Sequence, residues 1–64
     1  MNSAELIRYL KKHGAVQAGG GKGSHQRYRL GERVTIIPVH GRAKELGTGL
    51  VRSICKDLGL PPPK

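Results

Sequence analysis

The stretch that decides the fold is HQRYRLGERVTIIPV, residues 25–39, in which two β-strand patterns meet at a short turn. His25, Arg27 and Arg29 alternate along residues 25–30 with Gln26, Tyr28 and Leu30. Because successive side chains of a strand point to opposite faces, His25, Arg27 and Arg29 are expected to share one face. The pattern therefore predicts a strand that presents a histidine and two arginines side by side.

The second half of the stretch predicts a partner strand. Gly31 and Glu32 separate the first strand from residues 33–39, and a two-residue connection containing glycine is typical of a β-hairpin. Residues 34–37 are all β-branched, which favours a strand. Pro38 has no backbone N–H to donate, so it is expected to end this strand or to lie on a sheet edge.

A helix is predicted before the hairpin. Asn2 and Glu5 have the spacing of a capping box, and Gly14 suits the position just after a helix end. Residues 15–18 have a short strand pattern that follows this helix. The predicted helix, residues 3–13, carries apolar side chains at helical spacing: Leu6, Ile7 and Leu10.

A second helix is predicted over residues 49–58, after a polar connection. Thr48 is expected to be its N-cap, and Gly59 is expected to end it. The prolines at 61–63 prevent the helix from restarting. The apolar stripe of this helix consists of Leu50, Val51, Ile54, Cys55 and Leu58.

The order helix, strand, strand, strand, helix predicts an α+β fold. A three-stranded antiparallel sheet covered on one face by two amphipathic helices forms a small α-β-β-β-α sandwich, which is the plan of double-stranded RNA-binding domains. Residues 1–60 are expected to form this single domain, and residues 61–64 to form a loose tail. The opposite face of the sheet is expected to stay open.

The charge of the chain indicates an anionic partner. Twelve Lys and Arg residues face four Asp and Glu residues in a chain of 64, for a formal net charge of +8. Folded domains this basic bind nucleic acid, acidic proteins or anionic membranes, although charge also serves solubility alone. Tyr9 and Tyr28 are the only aromatic residues, so contacts to phosphate are expected to dominate over base stacking.

Several classes of protein are disfavoured. Cys55 is the only cysteine, so an internal disulfide is impossible, and the three histidines have no zinc-finger spacing with it. We expect no metal site. The sequence has neither a long apolar run nor a signal-peptide pattern, so a cytoplasmic protein without membrane contact is expected.

The combined motifs resemble the HicA family of toxins. The segments that carry the resemblance are LIRYLKKHG, GSH leading into QRY, VTIIPVH, and ELGTGLVRSICKDLGL, in the order of the family and over nearly the whole chain. The chain departs from many members at Ala15, where an aromatic residue is common, and at residues 19–21, where bulkier residues are common.

The resemblance implies an mRNA-cleaving toxin of a type II toxin–antitoxin pair, with no metal or organic cofactor. Its active residue is the histidine of the Gly-Ser-His segment, which is His25 here. Its protein partner is the antitoxin HicB, which covers that histidine. The free toxin is expected to be a monomer that forms a hetero-oligomer with the antitoxin.

The residues around His25 suit RNA cleavage without a metal. The ribose 2′-OH attacks the adjacent phosphate, and histidine can accept its proton or protonate the leaving oxygen, because an imidazole titrates near neutral pH. Lys22, Arg27 and Arg29 are expected to stabilise the developing negative charge. The sequence leaves the base and acid roles open, with His40 as a candidate second group.

The glycine run at 19–23 has two readings. It is either a flexible connection between strands, or a loop whose backbone N–H groups bind phosphate. Gly23 and Ser24 are then expected to contact the substrate together with Lys22. Ser24 also suits a turn cap, and its neighbour His25 points to the opposite face of the strand, which disfavours a Ser-His nucleophile pair.

Two other functions compete with the nuclease. The first is a non-catalytic RNA-binding module of the same fold, in which His25 only contacts phosphate. The second is a DNA-binding module, which requires a recognition helix with base-reading side chains. The second predicted helix is mostly apolar apart from Arg52 and Lys56, so this reading ranks last.

Overall fold

The computed structural model describes residues 1–21, 23, 25–39 and 45–63. In chain order the elements are α1 (Ser3–Lys12), β1 (Val16–Ala18), β2 (His25–Leu30), β3 (Arg33–Pro38) and α2 (Thr48–Asp57). The predicted α-β-β-β-α order is confirmed. The predicted helix and strand boundaries agree with the structure to within one residue.

The three strands form one antiparallel sheet in the order β1-β2-β3, so that β2 is central. The hairpin between β2 and β3 turns at Gly31 and Glu32, as predicted, because Leu30 pairs directly with Arg33. Pro38 pairs with His25 at the last position of the edge strand β3. The missing donor of proline therefore does not interrupt the sheet.

The ends of α1 follow from local side-chain and backbone hydrogen bonds. The Glu5 amide donates to Asn2 Oδ1 at 2.9 Å, and the Asn2 amide donates to Glu5 Oε1 at 3.0 Å, which completes the predicted capping box. At the other end, the amides of Gly14 and Ala15 donate to the carbonyls of Lys11 and Leu10, both at 3.0 Å. This Schellman motif ends the helix where the sequence predicted it.

The start of α2 differs from the prediction. Its N-cap is Gly47 and not Thr48, since Thr48 already has helical backbone geometry. The carbonyl of Gly47 accepts the first helical hydrogen bond, from the Val51 amide at 3.1 Å, and no side chain caps the helix. A threonine inside the first turn has its hydroxyl one residue too late to act as the N-cap acceptor.

Both helices cover the same face of the sheet. The most deeply buried large side chains come from both helices and from the covered face of β2 and β3: Leu6, Leu10, Tyr28, Ile37, Ile54 and Cys55. Leu50, predicted within the stripe of α2, is instead 40% exposed. At 100° per residue it lies at the margin of the face that Val51 and Ile54 define.

Two side-chain hydrogen bonds connect distant parts of the chain. The Thr35 hydroxyl donates to Asp57 Oδ2 at 3.1 Å and connects β3 to the last turn of α2. The Tyr9 hydroxyl donates to the Pro61 carbonyl at 2.6 Å, which brings the start of the predicted tail against α1. The division of the chain at residue 60 stays a prediction. Within the described residues, no helix has the length and apolarity to cross a membrane.

Candidate active site on the open sheet face

The open face of the sheet consists of three rows of side chains. Directly paired residues of an antiparallel sheet lie on the same face, so the register fixes the members of each row. Each row contains a basic or imidazole side chain from β2, which is central in the first two rows and has a β3 neighbour alone in the third. The rows are Arg29 between Val16 and Val34, Arg27 between Ala18 and Ile36, and His25 beside Pro38.

His25, Arg27 and Arg29 are all exposed, whereas Tyr28 between them is buried. The predicted alternation of β2 is therefore confirmed. At about 3.3 Å per residue, His25 and Arg27 are separated by about 7 Å along the strand, and His25 and Arg29 by about 13 Å. Successive phosphates of an extended nucleic acid strand have a comparable spacing.

A shallow cleft of about 310 Å³ lies at the His25 end of the open face. Its lining includes His25 and Arg27 from β2 and the backbone of Gly20, Gly21 and Gly23 from the preceding loop. The cleft therefore brings His25 and Arg27 together with a stretch of backbone without side chains, and its lining also includes Gln17 and Gln26, which the register places on the covered face. Such a combination suits a phosphate group that also approaches a proton-transfer residue.

The glycine run lies directly against β2. A Cβ atom at Gly21 would be 2.6 Å from the carbonyl oxygen of His25 and 3.1 Å from both the Arg27 amide nitrogen and the Gln26 Cα. A Cβ atom at Gly20 would be 3.1 Å from Arg27 Nη1. Gly20 also has a φ of +97°, which side-chain-bearing residues rarely adopt. The loop is therefore packed closely against the start of β2.

Arg29 differs from Arg27 in its surroundings. The Arg29 Nη1 donates to the Gly31 carbonyl at 3.3 Å, so its guanidinium leans toward the hairpin turn and away from the cleft. The lining of the cleft includes Arg27 and not Arg29. The two arginines that the sequence grouped together therefore have different surroundings, Arg27 beside the loop and Arg29 beside the hairpin turn.

Three of the sequence-predicted candidates lie outside the described residues. These are Lys22 and Ser24, which flank Gly23, and His40, which follows β3. Their roles stay predictions. Among the residues that are described, no group of three histidine, cysteine or carboxylate side chains is arranged to hold a metal ion.

Aliphatic side chains are the feature of this face that the sequence reasoning missed. Among the described residues, the large hydrophobic side chains that remain exposed are Val16 at 49%, Val34 at 43%, Ile36 at 44% and Leu50 at 40%. The first three flank the line of basic and imidazole side chains that β2 places on the open face, His25, Arg27 and Arg29. The alternation that places Ile37 inside also places Ile36 outside, so the sequence pattern contained this signal.

The fold and the cleft define a small basic α+β sandwich with a histidine and arginines on its open sheet face. The chain belongs to the HicA toxin family, because the family described as the HicA toxin of bacterial toxin–antitoxin systems matches residues 3–60. The resemblance inferred from the sequence is thereby confirmed. As a member of this family, the chain is the toxin of a toxin–antitoxin pair, which implies an antitoxin partner and an RNA substrate.

A named relative supports the same family. A protein of Pseudomonas fluorescens (strain Pf0-1), named probable mRNA interferase HicA, is 48% identical over 60 residues. The matched region covers 94% of this chain and 97% of the relative. No solved structure matches the chain.

Proposed function

We propose that this toxin is a metal-independent endoribonuclease that cleaves messenger RNA and that His25 transfers a proton in the reaction. The observation that carries the proposal is the cleft that holds exposed His25 together with Arg27. The name of the 48% identical relative supports the choice of messenger RNA as the substrate. Because messenger RNA is translated in the cytoplasm, the toxin acts there.

The reaction that fits this cleft uses the RNA's own 2′-OH. A bond forms between O2′ and phosphorus while the bond between phosphorus and O5′ breaks, which leaves a 2′,3′-cyclic phosphate and a 5′-OH. One proton leaves the 2′-OH and one proton arrives at O5′. His25 acts as the general base for the first transfer or as the general acid for the second, and solvent water or the candidate second group His40 exchanges the other proton.

The two arginines of the open face, Arg27 and Arg29, contact different phosphates of the RNA in this proposal. Arg27 lines the cleft with its guanidinium beside Gly20, and it stabilises the negative charge that builds on the reacting phosphate. Arg29, about 13 Å from His25 along β2, binds a phosphate further along the strand. Lys22, Gly23 and Ser24 complete the phosphate contacts on the loop side.

The antitoxin of this pair is of the HicB type and covers His25 on the open face. This part of the proposal is supported by three exposed aliphatic side chains, Val16, Val34 and Ile36. They lie on both sides of the arginines of β2. A phosphate backbone makes no use of such side chains, whereas the centre of a protein interface does. A partner with apolar and acidic side chains complements both features of this face, and the toxin forms a hetero-oligomer with it.

The proposed nuclease activity is tested with purified toxin, its His25→Ala variant and a labelled single-stranded RNA in excess EDTA. The matched control is His13→Ala, because His13 is exposed at the end of α1 and belongs to no part of the cleft. We expect the parent and His13→Ala to cleave equally. The His25→Ala variant should be slower by about 10²- to 10⁴-fold, the usual contribution of one acid–base residue.

Other outcomes have distinct meanings. RNA binding by the parent without any cleavage would replace the nuclease with the non-catalytic RNA-binding module. Equal cleavage by all three proteins would remove His25 from the mechanism. Cleavage that stops in EDTA and returns with a divalent cation would contradict metal independence.

A further inference from the structure

The backbone of the loop before β2 lies very close to two residues of the proposed active site. Gly20 and Gly21 lie in the lining of the cleft, each against a different functional residue. Gly21 lies against the carbonyl of His25, and Gly20 lies against the guanidinium of Arg27. A side chain fits at Gly21 only if backbone moves, and at Gly20 only if the Arg27 guanidinium moves.

The contact of Gly21 involves backbone alone. A Cβ atom there would lie 2.6 Å from the His25 carbonyl oxygen, whereas ordinary contacts begin at 3.4 Å. The neighbours at 3.1 Å, the amide nitrogen of Arg27 and the Cα of Gln26, also belong to the strand backbone. A side chain at 21 therefore forces the loop and the first residues of β2 apart by about 1 Å, a displacement that is large for a reacting group.

The contact of Gly20 involves a side chain that can move. A Cβ atom there would lie 3.1 Å from Nη1 and 3.2 Å from Cζ of Arg27. These atoms are the far end of a flexible side chain, so they can move. Such a movement takes the Arg27 guanidinium away from the loop. The absence of a side chain at Gly20 therefore allows the observed position of the Arg27 guanidinium. The absence of one at Gly21 allows the observed position of the His25 backbone.

We propose that Gly20 and Gly21 are positioning residues, which hold the Arg27 guanidinium and the His25 main chain in the geometry that RNA cleavage requires. This inference rests on the proposed function, because it gives the two glycines a role in that reaction. The loop acts through close approach of its backbone to β2. It makes no demand on Gly19, where a Cβ atom would meet nothing within 4 Å.

The test compares Gly21→Ala with Gly49→Ala, which adds the same methyl group in open space on α2, outside the cleft. Single-turnover cleavage of one RNA is measured for both variants, the parent and His25→Ala. We expect Gly21→Ala to lower kcat by about 10²-fold with KM changed by less than about threefold. Gly49→Ala should stay within about twofold of the parent.

Two spectroscopic readouts separate positioning from a loss of folding. Amide NMR spectra should show the sheet intact in Gly21→Ala, and the imidazole resonances of His25 should shift while those of His13 stay in place. If Gly21→Ala does not fold, the Gly20→Ala variant is used in its place. We expect Gly20→Ala to lower kcat/KM by at least tenfold in the parent and to have no further effect in an Arg27→Ala background.

The outcomes distinguish this inference from the function it rests on. Full activity in His25→Ala would overturn the proposed function, and the positioning role with it. An inactive His25→Ala together with equal rates for Gly21→Ala and Gly49→Ala would overturn the positioning role alone. A Gly20→Ala effect of the same size with and without Arg27 would likewise contradict the coupling of the two residues.

Discussion

The single residue on which the account depends is His25, and its surroundings come from a short segment of chain. The strand alternation places His25 and Arg27 on the open face, and the glycine loop returns against both. The strand side of this cleft was predictable, because a period of two is a local property of the sequence. The loop side was not, because close approach depends on the path of the chain through space.

The two arginines of β2 should have different effects on cleavage. We expect Arg27→Ala to lower kcat by about 10²-fold, because it removes a charge beside the reacting phosphate. Arg29→Ala should leave kcat within about threefold of the parent and should lower the slope of log affinity against log salt by about 0.7, the value for one phosphate contact on a single strand. Single-turnover cleavage and binding across a range of salt concentrations measure both effects. Equal losses of kcat in the two variants would contradict the assignment of Arg27 to the reacting phosphate and of Arg29 to a more distant one.

At the scale of elements, the hairpin of β2 and β3 determines both faces of the sheet. The register that buries Tyr28 opposite Thr35 also exposes Arg27 opposite Ile36. This much follows from turn chemistry and alternation within residues 25–38. The N-cap of α2 was predicted one residue late, because glycine and threonine are both acceptable N-caps and the sequence pattern does not separate them.

The aliphatic side chains of β3 should matter to the antitoxin and not to RNA. We expect Ile36→Ser to weaken binding of the HicB-type antitoxin by about ten- to hundredfold, which is the loss for one well-buried aliphatic contact. The matched control is Leu50→Ser, since Leu50 is similarly exposed, at 40% against 44%, but lies on α2. Titration calorimetry with the co-expressed antitoxin measures the affinities.

Two results would contradict the placement of the antitoxin on the open face. One is an unchanged affinity in Ile36→Ser. The other is a larger loss in Leu50→Ser, which would move the interface to the exposed side of α2. Cleavage of RNA by Ile36→Ser should remain within about twofold of the parent, because the proposed phosphate contacts come from β2 and the loop before it and not from β3.

For the whole molecule, a small core and a large positive charge were predictable from composition. A chain of 64 residues with a net charge of +8 has few residues to bury and many to keep in solvent. The contacts between distant parts of the chain were not predictable. The hydrogen bond from Thr35 to Asp57 and that from Tyr9 to Pro61 join residues 22 and 52 positions apart, and no local pattern reports such pairs.

The stability of the whole domain should fall in alkaline solution. Burial raises the pKa of the Cys55 thiol above its ordinary value of 9.0 and the pKa of the Tyr28 hydroxyl above 10.0. As the pH rises, the unfolded chain loses these protons before the native chain does. The native state then holds more protons than the unfolded state, so the free energy of unfolding decreases with pH.

Urea denaturation between about pH 8.5 and 10 measures this effect for the thiol. We expect the free energy of unfolding of the parent to fall more steeply than that of Cys55→Ala, with a difference approaching but not exceeding about 1.4 kcal/mol per pH unit. Comparing the two slopes cancels the titration of the lysines, which both proteins share. Parallel slopes would show that the Cys55 thiol titrates alike in the folded and unfolded states.

The most direct test of the central claim, that this fold cleaves RNA through the substrate's own 2′-OH beside His25, alters the substrate and leaves the protein intact. A cleavage site is first mapped on a single-stranded RNA in EDTA, and the ribose 5′ of that site is then replaced by 2′-deoxyribose. We predict that cleavage there disappears, that binding is unchanged, and that the parent RNA yields 2′,3′-cyclic phosphate and 5′-OH ends. Continued cleavage at the deoxyribose, with 5′-phosphate ends, would show that water is the nucleophile and would contradict the mechanism.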